Sequence, residues 1–172
     1  MKYIVTLAAL AGCCAGCAKH QAEPDKGPLR QLATSFVPSD AIELRESSDV
    51  PWVQMDFQAS RGPKEFAVAT ERLAKARSDG WLLCEPTDSA WTEFDDLSVQ
   101  PRRYIAERSF MLYKADTLVV LLGRYEFENK TAWEYANQTP AARLVQHAVI
   151  IAQPSSEDDA RTRASEQGLQ CS

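Results

Sequence analysis

The chain has 172 residues and a formal net charge of −5, and this length is typical of one domain of ordinary size. The acidic balance argues against nucleic-acid binding, which needs a basic face, and no run of Lys or Arg offers a patch for anionic lipid. The chain has 7 glycines, which leave little room for a Gly-rich phosphate loop, and nothing in the sequence indicates a cofactor.

The first residues have the three-part layout of a secretory signal. Lys2 precedes about ten apolar or small residues, a run too short to cross a bilayer, which takes about 20. The run ends in Leu10-Ala11-Gly12-Cys13, a tetrad that resembles the lipobox of bacterial lipoproteins. The resemblance implies that residues 1–12 are a signal peptide and that Cys13 is lipidated and begins the mature protein. The alternatives are an ordinary cleaved signal and a free N-terminal helix.

A second, poorer match to the lipobox ends at Cys17, with Cys14 where Leu is preferred, so Cys17 is the alternative lipidation site. In enterobacterial lipoproteins, Asp after the lipidated cysteine retains the protein at the inner membrane, and neither match has Asp there. The resemblance therefore implies an outer-membrane anchor that faces the periplasm. It also implies two or three acyl chains, palmitate among them, which suffice for stable attachment.

The segment that follows the cysteines is polar, contains Pro24, Gly27 and Pro28, and shows no apolar periodicity. Such a composition is typical of a flexible linker. We therefore expect residues 13–28 to be a lipid-anchored tether and residues 29–172 to form a single globular domain.

The first part of this domain contains a helix, two strands and then the main helix. The spacing of apolar residues predicts a short helix over 29–36. Alternation predicts strands over 42–45 and 52–59, the second with one buried and one wet face, as in an antiparallel sheet. The main helix is predicted over 63–78, because Pro63 suits a first helical position.

The middle of the domain is predicted to be rich in strands. An apolar strand over 81–84 and a weaker one over 91–94 precede the strongest pair, 104–114 and 117–127, which is joined by a hairpin turn. Gly123 interrupts the last of these strands and indicates a bulge or close packing.

Residues 128–140 are predicted to be a loop, and a last strand follows over 143–152. A capped start after Pro154 then predicts a short polar C-terminal helix that ends near Gly168. Strands that follow one another directly pair antiparallel, so the order predicts an α+β fold. We expect a curved antiparallel sheet of about five or six strands with the 63–78 helix packed on one face.

The chain has 5 cysteines, of which only Cys84 and Cys171 lie in the predicted domain. An exported protein meets an oxidising environment, so these two are predicted to form a disulfide. The bridge would close a loop of about 90 residues and stabilise the fold by about 4 kcal/mol through lost chain entropy. The alternative is that Cys84 is a small buried hydrophobe and Cys171 a thiol in the tail. No metal site is expected, because the domain has no CxxC pair and no clustered His.

The sequence contains no constellation typical of catalysis. His147 is the one histidine of the predicted domain and lies in a predicted strand, and there is no GxSxG nucleophile elbow. Glu93, Asp95 and Asp96 cluster beside aromatic residues, which could suit a hydrolase that uses paired acids. A solvated acidic turn is the favoured interpretation, and we do not expect an enzyme.

One basic grouping stands out, consisting of Arg102, Arg103, Arg108 and Arg124. It is either a cross-strand ion-pair lattice, which we favour, or a docking patch for an acidic partner. Trp133 and Tyr135 are candidate interface anchors, because aromatic residues are enriched at binding surfaces.

These features predict a non-catalytic protein-binding module on a lipid anchor, either an envelope accessory protein or an inhibitor or immunity-type protein. Its expected partners are the membrane, through the lipid, and another envelope protein, with no nucleic acid. The alternative is a lipoprotein that binds a small molecule or lipid in a pocket between sheet and helix. A cell-wall hydrolase is a further, less favoured alternative.

Overall fold

The computed structural model describes residues 26–47, 51–88, 90–139 and 141–172. The predicted signal peptide, both candidate lipidation sites (Cys13 and Cys17) and most of the predicted tether lie outside these residues. Within the described ranges, no helix has the length and apolarity that a bilayer crossing requires.

The described chain forms four helices and eight strands. The helices are α1 (Gly27–Phe36), α2 (Thr70–Ser78), α3 (Lys130–Gln138) and α4 (Glu157–Glu166). The strands are β1 (Ile42–Ser47), β2 (Val53–Arg61), β3 (Leu82–Pro86), β4 (Thr92–Asp96), β5 (Arg103–Lys114), β6 (Thr117–Phe127), β7 (Leu144–Pro154) and β8 (Leu169–Cys171).

All eight strands belong to one antiparallel sheet in the order β1-β2-β7-β6-β5-β3-β8, and β4 also pairs with β5. The predicted α+β class with an antiparallel sheet is therefore confirmed, with eight strands instead of five or six. Seven of the eight strands match segments predicted as strands, and β8 does not. It has three residues and one buried apolar side chain, Leu169, which is too short a pattern to recognise in the sequence.

Alternation along the strands separates the sheet into two faces. The helical face carries α1, α2 and α3, and its core includes Val53, Phe57, Phe110 and Leu121. The opposite face, which we call the open face, carries only α4 among the described helices, packed on Met111 and neighbouring side chains. One helix covers less of a sheet than three, so a larger part of the open face stays accessible.

The main helix begins at Thr70, so the prediction of a helix from residue 63 is wrong for its first two turns. The hydroxyl of Tyr125 donates to the carbonyl oxygens of Gly62 (2.8 Å) and Glu65 (3.2 Å), which a continuing helix would use for its own hydrogen bonds. The side chain of Glu65 accepts from the backbone N–H of Gly62 at 2.9 Å. Hydrogen bonds with the distant Tyr125 and with the side chain of Glu65 therefore occupy backbone groups where the first predicted turns of this helix would lie.

The prediction of a loop over 128–140 is also wrong, because α3 lies within it. The side chain of Asn129 caps this helix by accepting from the backbone N–H of Ala132 at 3.0 Å. Only Trp133 and Ala136 of the helix are buried, and two residues are too few to produce a clear periodicity in the sequence.

Gly123 allows close packing against the middle of β6. A Cβ atom added there would lie 2.6 Å from Oε1 of Gln146 and 2.6 Å from a ring carbon of Phe66. The pairing of β5 with β6 continues without a shift past Arg108 and Gly123, so close packing is confirmed and a bulge is excluded at this position.

The predicted disulfide between Cys84 and Cys171 is confirmed, with an S–S bond of 2.03 Å. Cys84 lies on β3 and is directly opposite Cys171 on β8. The bond therefore ties the last strand of the chain to an inner strand of the sheet.

Candidate functional site

The open face contains a groove between the end of α4 and strand β4. Its floor is formed by two cross-strand pairs of half-buried apolar residues, Val120 opposite Ile151 and Leu122 opposite Val149. Its other lining residues are polar: Thr92, Glu107, Ser109 and Gln167. The groove has a volume of about 460 Å³. It lies on the two central strands of the sheet, where an apolar side chain would normally be covered.

Glu107 is a half-buried acid in the wall of this groove. Its carboxylate makes no hydrogen bond and no ion pair with any described side chain. Burial raises the pKa of Glu107, and the positive charge of Arg124 on the neighbouring strand opposes that rise. Arg124 itself pairs with Asp96 at 3.3 Å and Glu126 at 3.2 Å. The groove therefore combines an apolar floor with an acid that forms no direct bond to the described side chains.

The structure separates the predicted basic grouping. Arg108 lies on the helical face, whereas Arg124 lies on the open face and takes part in the ion pairs described above. Arg102 is exposed in the connection before β5, and Arg103 is half-buried at the position opposite Asp96. The four cations do not share one surface, because adjacent residues of a strand point to opposite faces.

The two predicted aromatic anchors differ in exposure, although both belong to α3. Trp133 is 1% exposed and packs in an aromatic cluster with Trp91, Tyr125 and Phe127. Tyr135 is 75% exposed. Trp133 is enclosed by other aromatic side chains, so of the two only Tyr135 is accessible to a partner.

Of the three clustered carboxylates, Glu93 and Asp95 lie on the helical face and Asp96 lies on the open face. Glu93 accepts hydrogen bonds from the hydroxyl of Tyr104 (2.5 Å) and from Nε1 of Trp133 (2.7 Å) on the helical face. Asp96 accepts from the hydroxyl of Ser98 and pairs with Arg124 on the open face. A reaction that uses paired acids needs two carboxyl groups that flank one bond, and Glu93 and Asp96 do not converge in this way.

These hydrogen bonds also set the titration of the groups involved. Burial favours the neutral carboxyl of Glu93, but the bonds from Tyr104 and Trp133 outweigh it and lower the pKa of Glu93. Burial and the bond to Glu93 raise the pKa of Tyr104 to about 12. The hydrogen bonds from Ser98 lower the pKa of Asp96. All three groups therefore keep their ordinary charge at neutral pH.

A second concavity lies on the helical face, between α2 with the segment before it and strands β3 and β5. This cleft has a volume of about 620 Å³. Its lining is mixed: apolar side chains such as Leu73 and Phe110 lie next to the charged groups of Arg61, Arg77 and Arg108. The sequence shows Arg108 only as part of the basic grouping, because the helix that completes the cleft is far from it in the chain.

The described residues contain no group of three His, Cys, Asp or Glu side chains that could hold a metal ion. His147 is exposed on β7, on the open face next to Gln58 and Arg124 in the neighbouring strands. It has no acid or nucleophile bonded to it among the described residues, so a catalytic arrangement around it has no geometric support.

The groove residues were missed because a continuous apolar run, such as residues 118–122 of β6, is also typical of a strand covered on both faces. The signal was present in β7, where apolar residues occupy both faces over several positions. No known protein family, no curated protein and no solved structure matches this chain.

Proposed function

We propose that this chain is an outer-membrane-anchored, periplasm-facing lipoprotein that binds another envelope protein through the groove of the open face and has no catalytic role. The observation that carries the proposal is the uncovered apolar floor formed by β6 and β7. Accessible apolar patches rimmed by polar residues mark protein interaction sites in soluble domains. The lipid anchor rests on the lipobox resemblance at Cys13, with Cys17 as the alternative.

The charges around the groove favour one kind of partner. Glu107 is half-buried in its wall without an ion pair, and binding that buries it further would need a compensating positive charge. A partner segment with an apolar side chain beside a Lys or Arg satisfies both the floor and this acid. An envelope accessory protein or an inhibitor of a periplasmic protein would use such a surface.

The test is photo-crosslinking in intact cells that express the full lipidated chain. A p-benzoylphenylalanine residue is placed at position 122 or 149, within the groove. The matched control is position 42, because Ile42 is an exposed apolar residue on the edge strand β1, 56% accessible and away from the groove. We expect a protein adduct at positions 122 and 149 that position 42 does not give.

The captured protein is then purified and its affinity measured against the groove variants Leu122→Glu and Glu107→Gln, with Ile42→Glu as control. We expect at least about a tenfold loss for Leu122→Glu, and a smaller loss with weaker salt dependence for Glu107→Gln. Equal crosslinking at position 42, or full affinity of Leu122→Glu, would contradict the proposal. Loss on Tyr135→Ser with full affinity of the groove variants would assign binding to α3 instead.

A second candidate function is the binding of a small molecule on the helical face. The cleft under α2 favours it, because apolar side chains form part of its mixed lining and its Arg108 forms no ion pair with a described acid. The two functions use opposite faces of the sheet and do not exclude each other.

A further inference from the structure

Arg108 lines the cleft under α2 and forms no ion pair with an acid in the part of the chain that the structure describes. Its side chain is half-buried, its guanidinium carbon lies 5.0 Å from the centre of the Phe110 ring, and its Nε is buried with no hydrogen-bond acceptor among the described residues. A buried donor without an acceptor costs free energy, so an acceptor that arrives with a ligand is favoured there.

The other two arginines that line the cleft are already paired. Arg61 contacts Asp40 at 2.6 Å, and Arg77 contacts Glu85 at 2.7 Å. The remaining lining cation, Lys64, is exposed. Among these cations, Arg108 is therefore the one that is half-buried and forms no ion pair with a described side chain.

Arg108 also lies at a gap in the sheet. β4 and β3 both pair with the edge of β5 that faces away from β6. The pairing with β4 ends at Glu107 and the pairing with β3 begins at Met111, so neither strand pairs with residues 108–110. A smaller cavity of about 270 Å³ occupies this region and shares Arg108 with the cleft.

Trp91 lines the smaller cavity together with Arg108. Its indole Nε1 is buried and has no acceptor among the described residues. Two N–H donors that have no acceptor among the described residues therefore belong to side chains that line the same cavity. One acceptor group with two oxygen atoms is the simplest way to satisfy both.

The chemistry of the surroundings restricts the ligand. Phe66, Leu73 and Leu83 line the cleft near Arg108 and suit an apolar body. The planar guanidinium matches a carboxylate through two parallel hydrogen bonds. The charges of Glu85 and Asp88 act on Arg108, and they oppose a ligand that carries two negative charges.

We propose that the cleft under α2 and the smaller cavity beside it bind one small monocarboxylate, whose apolar body lies in the cleft and whose carboxylate is held in the smaller cavity by Arg108 and by the indole N–H of Trp91. The cleft lies on the face opposite the groove, whereas the smaller cavity shares Thr92, Glu107, Ser109 and Gln167 with the groove. This assignment sharpens the second candidate function by naming the ligand class and the two groups that recognise it.

The test is a calorimetric titration of the full chain in neutral-detergent micelles with 4-phenylbutyrate, with the titration of empty micelles subtracted. We expect saturable binding by the wild type and at least about a tenfold weaker binding by Arg108→Gln. The matched control is Arg103→Gln, on the same strand but on the open face, which we expect to bind within about twofold of the wild type. The neutral analogue 4-phenylbutyramide separates the charge from the apolar body, and we expect it to bind at least about tenfold more weakly.

A second measurement does not depend on whether Arg108→Gln folds. In the wild type, the indole N–H resonance of Trp91 should shift on addition of 4-phenylbutyrate. The resonance of Trp52 should not shift, because this residue directly precedes β2, towards the other edge of the sheet, where it is 36% exposed. The absence of saturable binding, a shift of Trp52 alone, or equal affinity of the amide would overturn the proposal. Tighter binding of 4-phenylbutyl phosphate than of the carboxylate would overturn the assignment of ligand class.

Discussion

Nε1 of Trp133 donates a hydrogen bond to Oε1 of Glu93 at 2.7 Å, so helix α3 is tied to strand β4 by residues 40 positions apart in the chain. The same carboxylate accepts from the hydroxyl of Tyr104 at 2.5 Å. One charged group therefore satisfies the polar atoms of two aromatic side chains that are almost completely buried. Glu93, which the sequence groups with Asp95 and Asp96 as a candidate site, therefore holds two buried aromatic side chains in place by hydrogen bonds.

This arrangement predicts that Glu93→Gln destabilises the protein at neutral pH. The pKa of Glu93 is lowered in the folded state, so its contribution is fully present above the unfolded pKa of about 4.3 and is lost as pH falls through the folded value. Because the residue is partly exposed, we expect a loss of only about 1 kcal/mol at pH 7. Melting curves between about pH 3 and pH 7 should show the wild-type and variant values converging in acid.

The control for this change is Asp95→Asn on the same strand, since Asp95 makes no hydrogen bond with a described side chain. We expect its melting temperature to stay within about 1 °C of the wild type. If the melting temperatures of Glu93→Gln and the wild type differ as much in acid as at neutral pH, the charge of Glu93 is not the cause of the destabilisation.

The disulfide between Cys84 and Cys171 predicts a large effect of reduction. The two cysteines are 87 positions apart, so the bridge restricts a long loop of the unfolded chain and should contribute about 4–5 kcal/mol. Urea unfolding with and without a reductant measures this contribution, and the double variant Cys84→Ala/Cys171→Ala should match the reduced wild type. Equal unfolding midpoints in both conditions would contradict it.

Gly123→Ala tests the close packing in the middle of β6. The new methyl group would overlap Phe66 and Gln146, so we expect a destabilisation of about 1–3 kcal/mol, measured by urea unfolding. Gly62→Ala is the matched control, because its methyl group would meet only the flexible side chain of Glu65 at 3.3 Å. Adding Phe66→Leu to Gly123→Ala should recover part of the loss if the overlap with the ring is the cause.

The lipid anchor predicts the outcome of fractionation. Cys13→Ser should move the protein from the membrane pellet to the soluble fraction and abolish its labelling with radioactive palmitate, because two or three acyl chains supply stable attachment. Cys17→Ser should leave both unchanged. The reverse pattern would assign lipidation to Cys17, and membrane attachment of both variants would refute the lipobox assignment.

Several elements were predictable because their patterns are local. The hairpin of β5 and β6 was predicted within one residue of its observed bounds, since alternating apolar residues flank a short polar turn. The C-terminal helix was predicted from its capped start, and the side chain of Ser156 caps it by accepting from the backbone N–H of Asp159 at 3.2 Å. Such signals act over a few residues and do not depend on the rest of the fold.

Other elements depended on distant contacts and were missed. In the place of the first predicted turns of α2, the carbonyl groups of Gly62 and Glu65 accept from the hydroxyl of Tyr125, about 60 residues further along the chain. Helix α3 is held by a cap and by the burial of Trp133 in an aromatic cluster built from other strands. Neither contact leaves a periodic pattern in the segment itself.

The sequence by itself determined the antiparallel α+β character, because alternation along strands is a property of the chain alone, and it predicted the pairing of Cys84 with Cys171 as the two cysteines of the globular domain. Only the tertiary structure decided that Arg108 and Arg124 face opposite sides of the sheet, that Glu93 is bonded to Trp133, and that the floor of the groove is uncovered. Alternation specifies that a strand has two faces, but which face a helix covers follows from packing between residues far apart in the chain.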